Sequence, residues 1–222
     1  MSIRQGISGV AAAVALLVLL QTQPAHAQPP VYSWRARDAD PNIRLSTSAS
    51  PRHRFDAVKA TAIVSASASH LLAVLQAFEH YPLWYYRASE VRVLQRPQTL
   101  PEVAVEPDGK LTRVPSAGPW LLHFRQRIPA IADRWTLLRC GLRAGAHGSV
   151  LMEFHSVKPA YDVEGAVRME LRGYWQLRPL TARQTEVTFM LDVDPNTLAP
   201  AFLVDPELRD VVVQTLRQMQ AR

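Results

Sequence analysis

The folded part of the chain opens with strand-like alternation and then changes to helical spacing. Residues 57–64 alternate apolar with more polar side chains, which predicts a β-strand. Residues 69–78 place apolar side chains at helical spacing, and Ser67 or Ser69 is available as the N-cap. Pro82 disfavours helix at the residue before it, so the helix is expected to end there. Three adjacent aromatic residues follow, Trp84, Tyr85 and Tyr86.

The remainder of the chain predicts more strands and one long helix. Strand-like segments cover residues 89–95, 120–128, 133–142, 150–157, 167–177 and 185–193. Residues 97–117 contain several prolines and predict a long loop with a small hairpin of 103–105 and 111–114. Asp205 and Pro206 are suited to the N-cap and first position of a C-terminal helix. Its apolar stripe is Leu208, Val211, Val212, Leu216 and Met219.

These elements predict an α+β fold. The order is a strand, a helix, several strands at hairpin distances and a final helix, so the sheet of about seven strands should be antiparallel. A curved sheet with one apolar face must cover that face with another element. The C-terminal helix is the long element available for this purpose.

Alternation along the strands selects the side chains expected on the concave face. They are Trp135, Leu137 and Arg139; Val150, Met152 and Phe154; Met169, Leu171 and Trp175; and Phe189, Leu191 and Val193. The C-terminal helix adds Val212 and Leu216. The opposite face is expected to be solvated at Glu153, Arg168, Glu170, Arg172, Gln176 and Asp192. Composition leaves open whether the concave side chains form a packed core or surround a cavity.

The N-terminus resembles a secretory signal peptide. A cation at Arg4 precedes an apolar run, and a small-x-small site ends at Ala27. The run is about half the roughly 20 residues that a membrane-spanning helix needs, although an uncleaved anchor is the alternative. We therefore expect a signal peptide over 1–27, a flexible leader over 28–54, a ligand-binding domain over 55–222, and export to the periplasm or the medium.

Charge and cysteine content narrow the set of partners. The formal net charge is +6, and the arginines are scattered along predicted strands, which is a poor pattern for nucleic acid. A modest positive charge is compatible with transient contact to an anionic membrane surface. The single cysteine, Cys140, lies in an apolar run and is expected to be a buried, inert thiol. A monomer is expected.

Four groups of residues, in order, resemble motifs of the START (StAR-related lipid transfer) family of the helix-grip superfamily. They are Phe78 to Trp84 with Ser89-Glu90-Val91; Arg127-Ile128-Pro129 with Arg134 to Arg139; Ala166 to Met169 with Trp175 to Pro179; and Asp192 to Pro195 with Ala199 to Val204. The chain departs from the family at Asp133-Arg134, which is reversed, and at Asn196 and Thr197, which replace glycines.

The resemblance implies a sheet wrapped around the C-terminal helix, with a ligand between them. A sterol, a fatty acyl chain or a phospholipid tail would fill the space among the concave side chains. Arg139 stands where some members keep a cavity arginine, and no acid in 120–128 is available as its partner. Arg139 is thus either a ligand anchor or a solvent-facing residue. The C-terminal helix and the loop at 158–166 are the candidate lids.

Two other functions remain open. An enzyme of the same superfamily, a cyclase or hydrolase, could use a cavity histidine and an acid. The candidates are His123, His147 and His155, with a nearby carboxylate such as Glu153. An interaction module could use the aromatic group at Trp84 as an adhesive patch. No motif for a hydrolase nucleophile, a metal, a phosphate or a dinucleotide occurs, so a binding protein is favoured and no cofactor is expected.

Overall fold

The computed structural model describes residues 31–98, 104–105, 111–113, 117–128 and 132–222. The predicted signal peptide lies outside these residues. Among the residues described, no helix is both long and apolar enough to cross a bilayer.

The described residues form strands, two α-helices and two short 3₁₀ turns. The helices are α1 (Ala68–Gln76) and α2 (Ala201–Gln220), and the 3₁₀ turns are Phe78–Leu83 and Ala146–Gly148. The strands are β1 (Arg35–Asp40), β2 (Ile43–Ala49), β3 (Asp56–Val64), β4 (Ala88–Gln95), β5 (Ala104–Val105), β6 (Leu111–Arg113), β7 (Ala117–Gln126), β8 (Asp133–Ala144), β9 (Val150–Val157), β10 (Ala166–Arg168), β11 (Glu170–Thr181) and β12 (Gln184–Asp194).

One large sheet organises the fold. Its strand order is β1-β2-β3-β12-β11-β9-β8-β7-β4, and each neighbouring pair is antiparallel. The short β10 pairs with β8 in parallel, and β5 and β6 form the separate predicted hairpin. Helix α2 packs mainly on β3 and β12. The predicted α+β fold, with an antiparallel sheet and a C-terminal helix, is confirmed, with more strands than the seven expected.

The leader expected over 28–54 is wrong for the part that the structure describes. Strands β1 and β2 lie within it and extend the sheet beyond β3. Ile43 pairs with Ala62 and Leu45 pairs with Ala60, and both Ile43 and Leu45 are buried. The serine- and arginine-rich composition suggested disorder because the apolar side chains of β2 are few, yet their period of two fits one buried face.

The two helices differ in how well their starts could be predicted. Ser67 caps α1, as expected, by accepting a hydrogen bond from the His70 backbone N–H. Helix α2 begins at Ala201, so Asp205 is not its N-cap. The Asp205 carboxylate instead accepts a hydrogen bond from the backbone N–H of Asp56 on β3. Pro206 therefore lies inside the helix, where it removes one backbone donor.

Candidate functional site

The concave face of β8 carries Leu138, Cys140 and Leu142 rather than the residues predicted for it. Leu138 pairs with Leu122, Cys140 pairs with Phe154, and all three β8 side chains belong to the main core. The assignment of Trp135, Leu137 and Arg139 to the concave face is therefore wrong, because successive strand residues point to opposite faces.

The error on β8 has a physical cause. Trp135 and Leu137 are buried on the convex face, so the strand is apolar on both faces and loses its alternation. Arg139 is exposed and pairs in register with His155, which is also exposed. Of the two alternatives for Arg139, a ligand anchor or a solvent-facing residue, the structure shows the second. Its side chain cannot reach a ligand in the interior.

An aromatic stack covers this part of the convex face. The rings of His123 and Trp135 are 5.7 Å apart, and those of Trp135 and Tyr161 are 5.4 Å apart, with 18° between the planes in each pair. His123 is buried, and its Nε2 has no hydrogen-bond partner among the described residues. His123 and His155 therefore lie on the wrong face for the histidine-and-acid enzyme, and neither lines an interior cavity.

Stability should depend on pH through His123. Burial lowers the pKa of His123, and the neighbouring Arg92 and Arg125 also lower it, against an opposing effect of Glu90. The unfolded chain takes up a proton near pH 6.5 while the folded chain resists it, so the stabilisation present above about pH 6.5 is lost as the pH falls below that value. When the free energy of unfolding is measured by urea denaturation at a series of pH values, it should fall less steeply at acid pH for His123→Phe than for the wild type. The same pH dependence in both proteins would contradict the view that His123 destabilises the fold at acid pH.

Asp192 is the second correction on the convex face. It was expected to be solvated, yet it is fully buried. The Tyr32 hydroxyl donates a hydrogen bond of 2.9 Å to Asp192 Oδ2, and burial together with this carboxylate raises the pKa of Tyr32. Trp34 stacks on Tyr32 and lies beneath the Lys59 ammonium at 4.2 Å. The segment before β1 thus covers a carboxylate that strand alternation alone places in water.

The interior contains a cavity of about 340 Å³ between the sheet and the first half of α2. Four of the side chains expected on the concave face line it, Met169, Leu171, Leu191 and Val193. The other lining residues are Tyr85, Arg87, Gln126, Ile128, Pro195, Thr197, Ala199, Leu203, Val204, Glu207, Leu208 and Val211. Most of these are apolar, so the wall suits a hydrophobic molecule. That any of them binds a ligand stays a prediction.

A second, smaller void of about 30 Å³ lies deeper in the core. Met152, Phe154 and Trp175, which were expected on the concave face, line it. Tyr85 and Leu171 line both this void and the larger cavity. The remaining predicted residues line neither space. Phe189 stacks on Trp175 with 3.8 Å between ring centroids, and Val212 and Leu216 are fully buried in the core.

Arg87 and Glu207 form the charged part of the wall of the larger cavity. Arg87 Nη2 donates to Glu207 Oε1 of α2 at 3.2 Å, and the guanidinium lies 4.6 Å above the Tyr86 ring. Arg87 Nε is buried and has no hydrogen-bond partner among the described residues. Gln126 and Thr197 are also among the polar residues that line the cavity. These four residues were missed by the sequence analysis.

The signal for Arg87 in the sequence is weak. It is the first cation after the aromatic group, but its side chain reaches the cavity because the backbone has a φ of 69°. Few residues other than glycine adopt this left-handed conformation, so it could not be expected from residue type.

Cys140 is part of the deep wall, as its apolar surroundings indicated. It is buried and lines the smaller void. Burial raises the pKa of its thiol to about 12, so the reactive thiolate is scarce near neutral pH. The prediction of a buried thiol is confirmed.

Comparison with known proteins supplies the family. The sequence profile described as polyketide cyclase / dehydrase and lipid transport matches residues 64–220. No functionally curated protein matches the chain by sequence. Among solved structures, the STAR-related lipid transfer protein (fragment 25–204) from Xanthomonas axonopodis superimposes with a TM-score of 0.68 at 15% identity, covering 85% of this chain and 97% of that one.

Two human structures give similar values. Human StAR-related lipid transfer protein 5 matches with a TM-score of 0.67 at 13% identity, covering 85% of each chain. Human STARD10 matches with a TM-score of 0.65 at 14% identity, covering 85% of this chain and 71% of that one. At these identities the structures establish the fold, and the profile covers more than half of the chain. The chain therefore belongs to the START-like family of polyketide cyclase / dehydrase and lipid transport proteins.

Proposed function

We propose that this protein is exported and binds a lipid or another hydrophobic small molecule in the 340 Å³ cavity, which it then releases at a membrane surface. The cavity carries the proposal. Its volume lies within the range of roughly 300–1,000 Å³ that is typical of small-molecule sites. Each Å² of apolar ligand surface removed from water contributes about 25 cal/mol.

Exposed apolar side chains at the rim of the cavity, which we take as its entrance, support release to a membrane. Leu198, Phe202 and Leu203 are 98%, 73% and 57% exposed, and Leu203 also lines the cavity. Arg54 lies beside them and donates to the backbone carbonyls of Thr197 and Ala199. Exposed apolar side chains next to a cation favour the interface of an anionic bilayer. The solved structures of similar fold include proteins that are described as lipid transfer proteins.

Export is supported by the sequence of residues 1–27, with its cation, apolar run and Ala25-x-Ala27 site. A protein released from the inner membrane would meet its ligand and its membrane surface in the same compartment. We expect it to act as a monomer.

Filling the cavity should remove binding. Val204 lines it from α2, so Val204→Trp places a large ring in the space and should weaken binding of N-phenyl-1-naphthylamine, an uncharged apolar fluorophore, on the order of tenfold. Gln218→Trp, on an exposed position of the same helix, is the matched control and should bind as the wild type does. Lipid extraction and native mass spectrometry of the wild type should also find a bound apolar molecule. Absence of both a bound molecule and saturable fluorophore binding would contradict the proposal.

A further inference from the structure

We infer that the cavity accepts a ligand whose polar end is uncharged and carries an oxygen acceptor, such as an alcohol, an ester or a ketone, in preference to a carboxylate or a phosphate. This inference rests on the proposed function and concerns the ligand class of the same cavity. It is carried by the balance of charge and of hydrogen-bonding groups around Arg87.

The charges of the cavity wall cancel. Among its described lining residues, Arg87 and Glu207 are the ionised side chains, and they form a pair at 3.2 Å. The side chains of Gln126 and Thr197 are neutral. An ionised ligand group would therefore bring a charge into an apolar space whose own charges are already matched, and a buried charge without a partner is costly.

The hydrogen-bonding groups are not balanced. Arg87 uses Nη2 for Glu207, but its Nε–H is buried and has no acceptor among the described residues. A buried donor that lacks an acceptor is a larger cost than the gain from an ordinary hydrogen bond. Gln126 is buried as well and offers both a donor and an acceptor at the same wall. Because the Arg87 Nε is closed off from the cavity, a ligand oxygen reaches it only after a small shift of the Arg87 side chain, while the Gln126 amide can donate to the same oxygen.

An anionic group would meet an opposing effect. It would approach the same guanidinium as Glu207 does, so one of the two carboxylates would lose its partner or the two would repel each other. Arg54 does not offset this effect, because it does not line the cavity and its Nη2 already donates to the backbone carbonyls of Thr197 and Ala199. The pair thus selects against anions even though it contains an arginine.

Two ligands of equal chain length test the inference. 1-Dodecanol and dodecanoate are titrated against protein loaded with N-phenyl-1-naphthylamine near neutral pH, and displacement gives both affinities. For the wild type we expect 1-dodecanol to bind on the order of tenfold more tightly than dodecanoate, the size of effect that a single hydrogen bond to a charged group produces. Equal affinities, or tighter binding of dodecanoate, would overturn the inference and leave the proposed function standing. Binding of neither compound, together with no saturable fluorophore binding, would overturn both.

A variant of α2 tests the charge balance directly. Glu207→Gln leaves Arg87 as an unpaired cation in the wall. The two side chains are 24% and 42% exposed, so water screens the pair and the preference should shift towards dodecanoate by about two- to fivefold. Asp210→Asn removes the same charge from an exposed position of α2 and should keep the wild-type preference. Arg87→Met removes the donors and should weaken 1-dodecanol about tenfold. A Glu207→Gln preference equal to that of Asp210→Asn would overturn the inference.

Discussion

Replacing Trp175 with alanine is expected to lower the free energy of unfolding by about 3–5 kcal/mol, which is the range for deleting a buried aromatic side chain. The ring is 2% exposed and stacks on Phe189 with 4° between their planes. It also contacts Trp84 at 6.2 Å between centroids, so its removal takes one aromatic contact from each of Phe189 and Trp84 and leaves a cavity between them. Equilibrium urea denaturation measures the change.

Leu180→Ala on the same strand is the matched control. Leu180 is 38% exposed at the end of β11, so its truncation should change the free energy of unfolding by no more than about 0.5 kcal/mol. A loss below about 1 kcal/mol in Trp175→Ala would contradict the view that the Trp175–Phe189 stack holds the middle of the sheet.

Cross-linking α2 to β3 is expected to slow ligand exchange by an order of magnitude or more, because α2 forms one wall of the cavity and must move to open it. The backbone N–H of Asp56 donates to Asp205 Oδ1 at 3.1 Å, so the pair Asp56→Cys and Asp205→Cys joins adjacent positions on the two elements. Cys140 will not compete, since it is buried and its thiol has a pKa of about 12. Release of N-phenyl-1-naphthylamine by stopped-flow fluorescence gives the rate.

Two controls separate helix motion from a general effect of the cross-link. Reduction of the same variant should restore the wild-type rate. A second variant, Thr61→Cys with Thr188→Cys, joins β3 to β12 at hydroxyls that lie 2.9 Å apart and leaves α2 free. Its exchange rate should equal that of the wild type when oxidised. Equal rates in the oxidised and reduced Asp56/Asp205 variant would show that α2 is not the lid.

The sheet could be predicted because most of its strands bury one face and keep the other polar. Met152, Phe154, Leu171 and Leu191 follow that period and lie on the concave face as expected. Strand β8 could not be assigned in this way, since the aromatic ring of Tyr161 buries its convex face as well. A period of two carries no information about direction when both faces are apolar.

The polar side of the cavity was beyond the reach of the sequence. Arg87 and Glu207 are separated by more than a hundred residues in the sequence. Neither belongs to an apolar pattern that would predict a position at the cavity wall. Their meeting depends on the left-handed backbone at Arg87 and on α2 beginning one turn before Asp205. Local signals for a helix start were present at Asp205, but a tertiary hydrogen bond used that carboxylate instead.

Tyr85 and Leu171 line both interior spaces, so they are expected to limit the length of a tail held in the larger one. The Tyr85 ring packs against Tyr81, Phe124 and Phe189 at 5.4–5.8 Å between centroids, so it has little freedom to turn aside. In a homologous series of alcohols, we expect each added methylene to strengthen binding until the larger space is full. Beyond that length the tail must bend back towards the entrance, and further carbons contribute nothing.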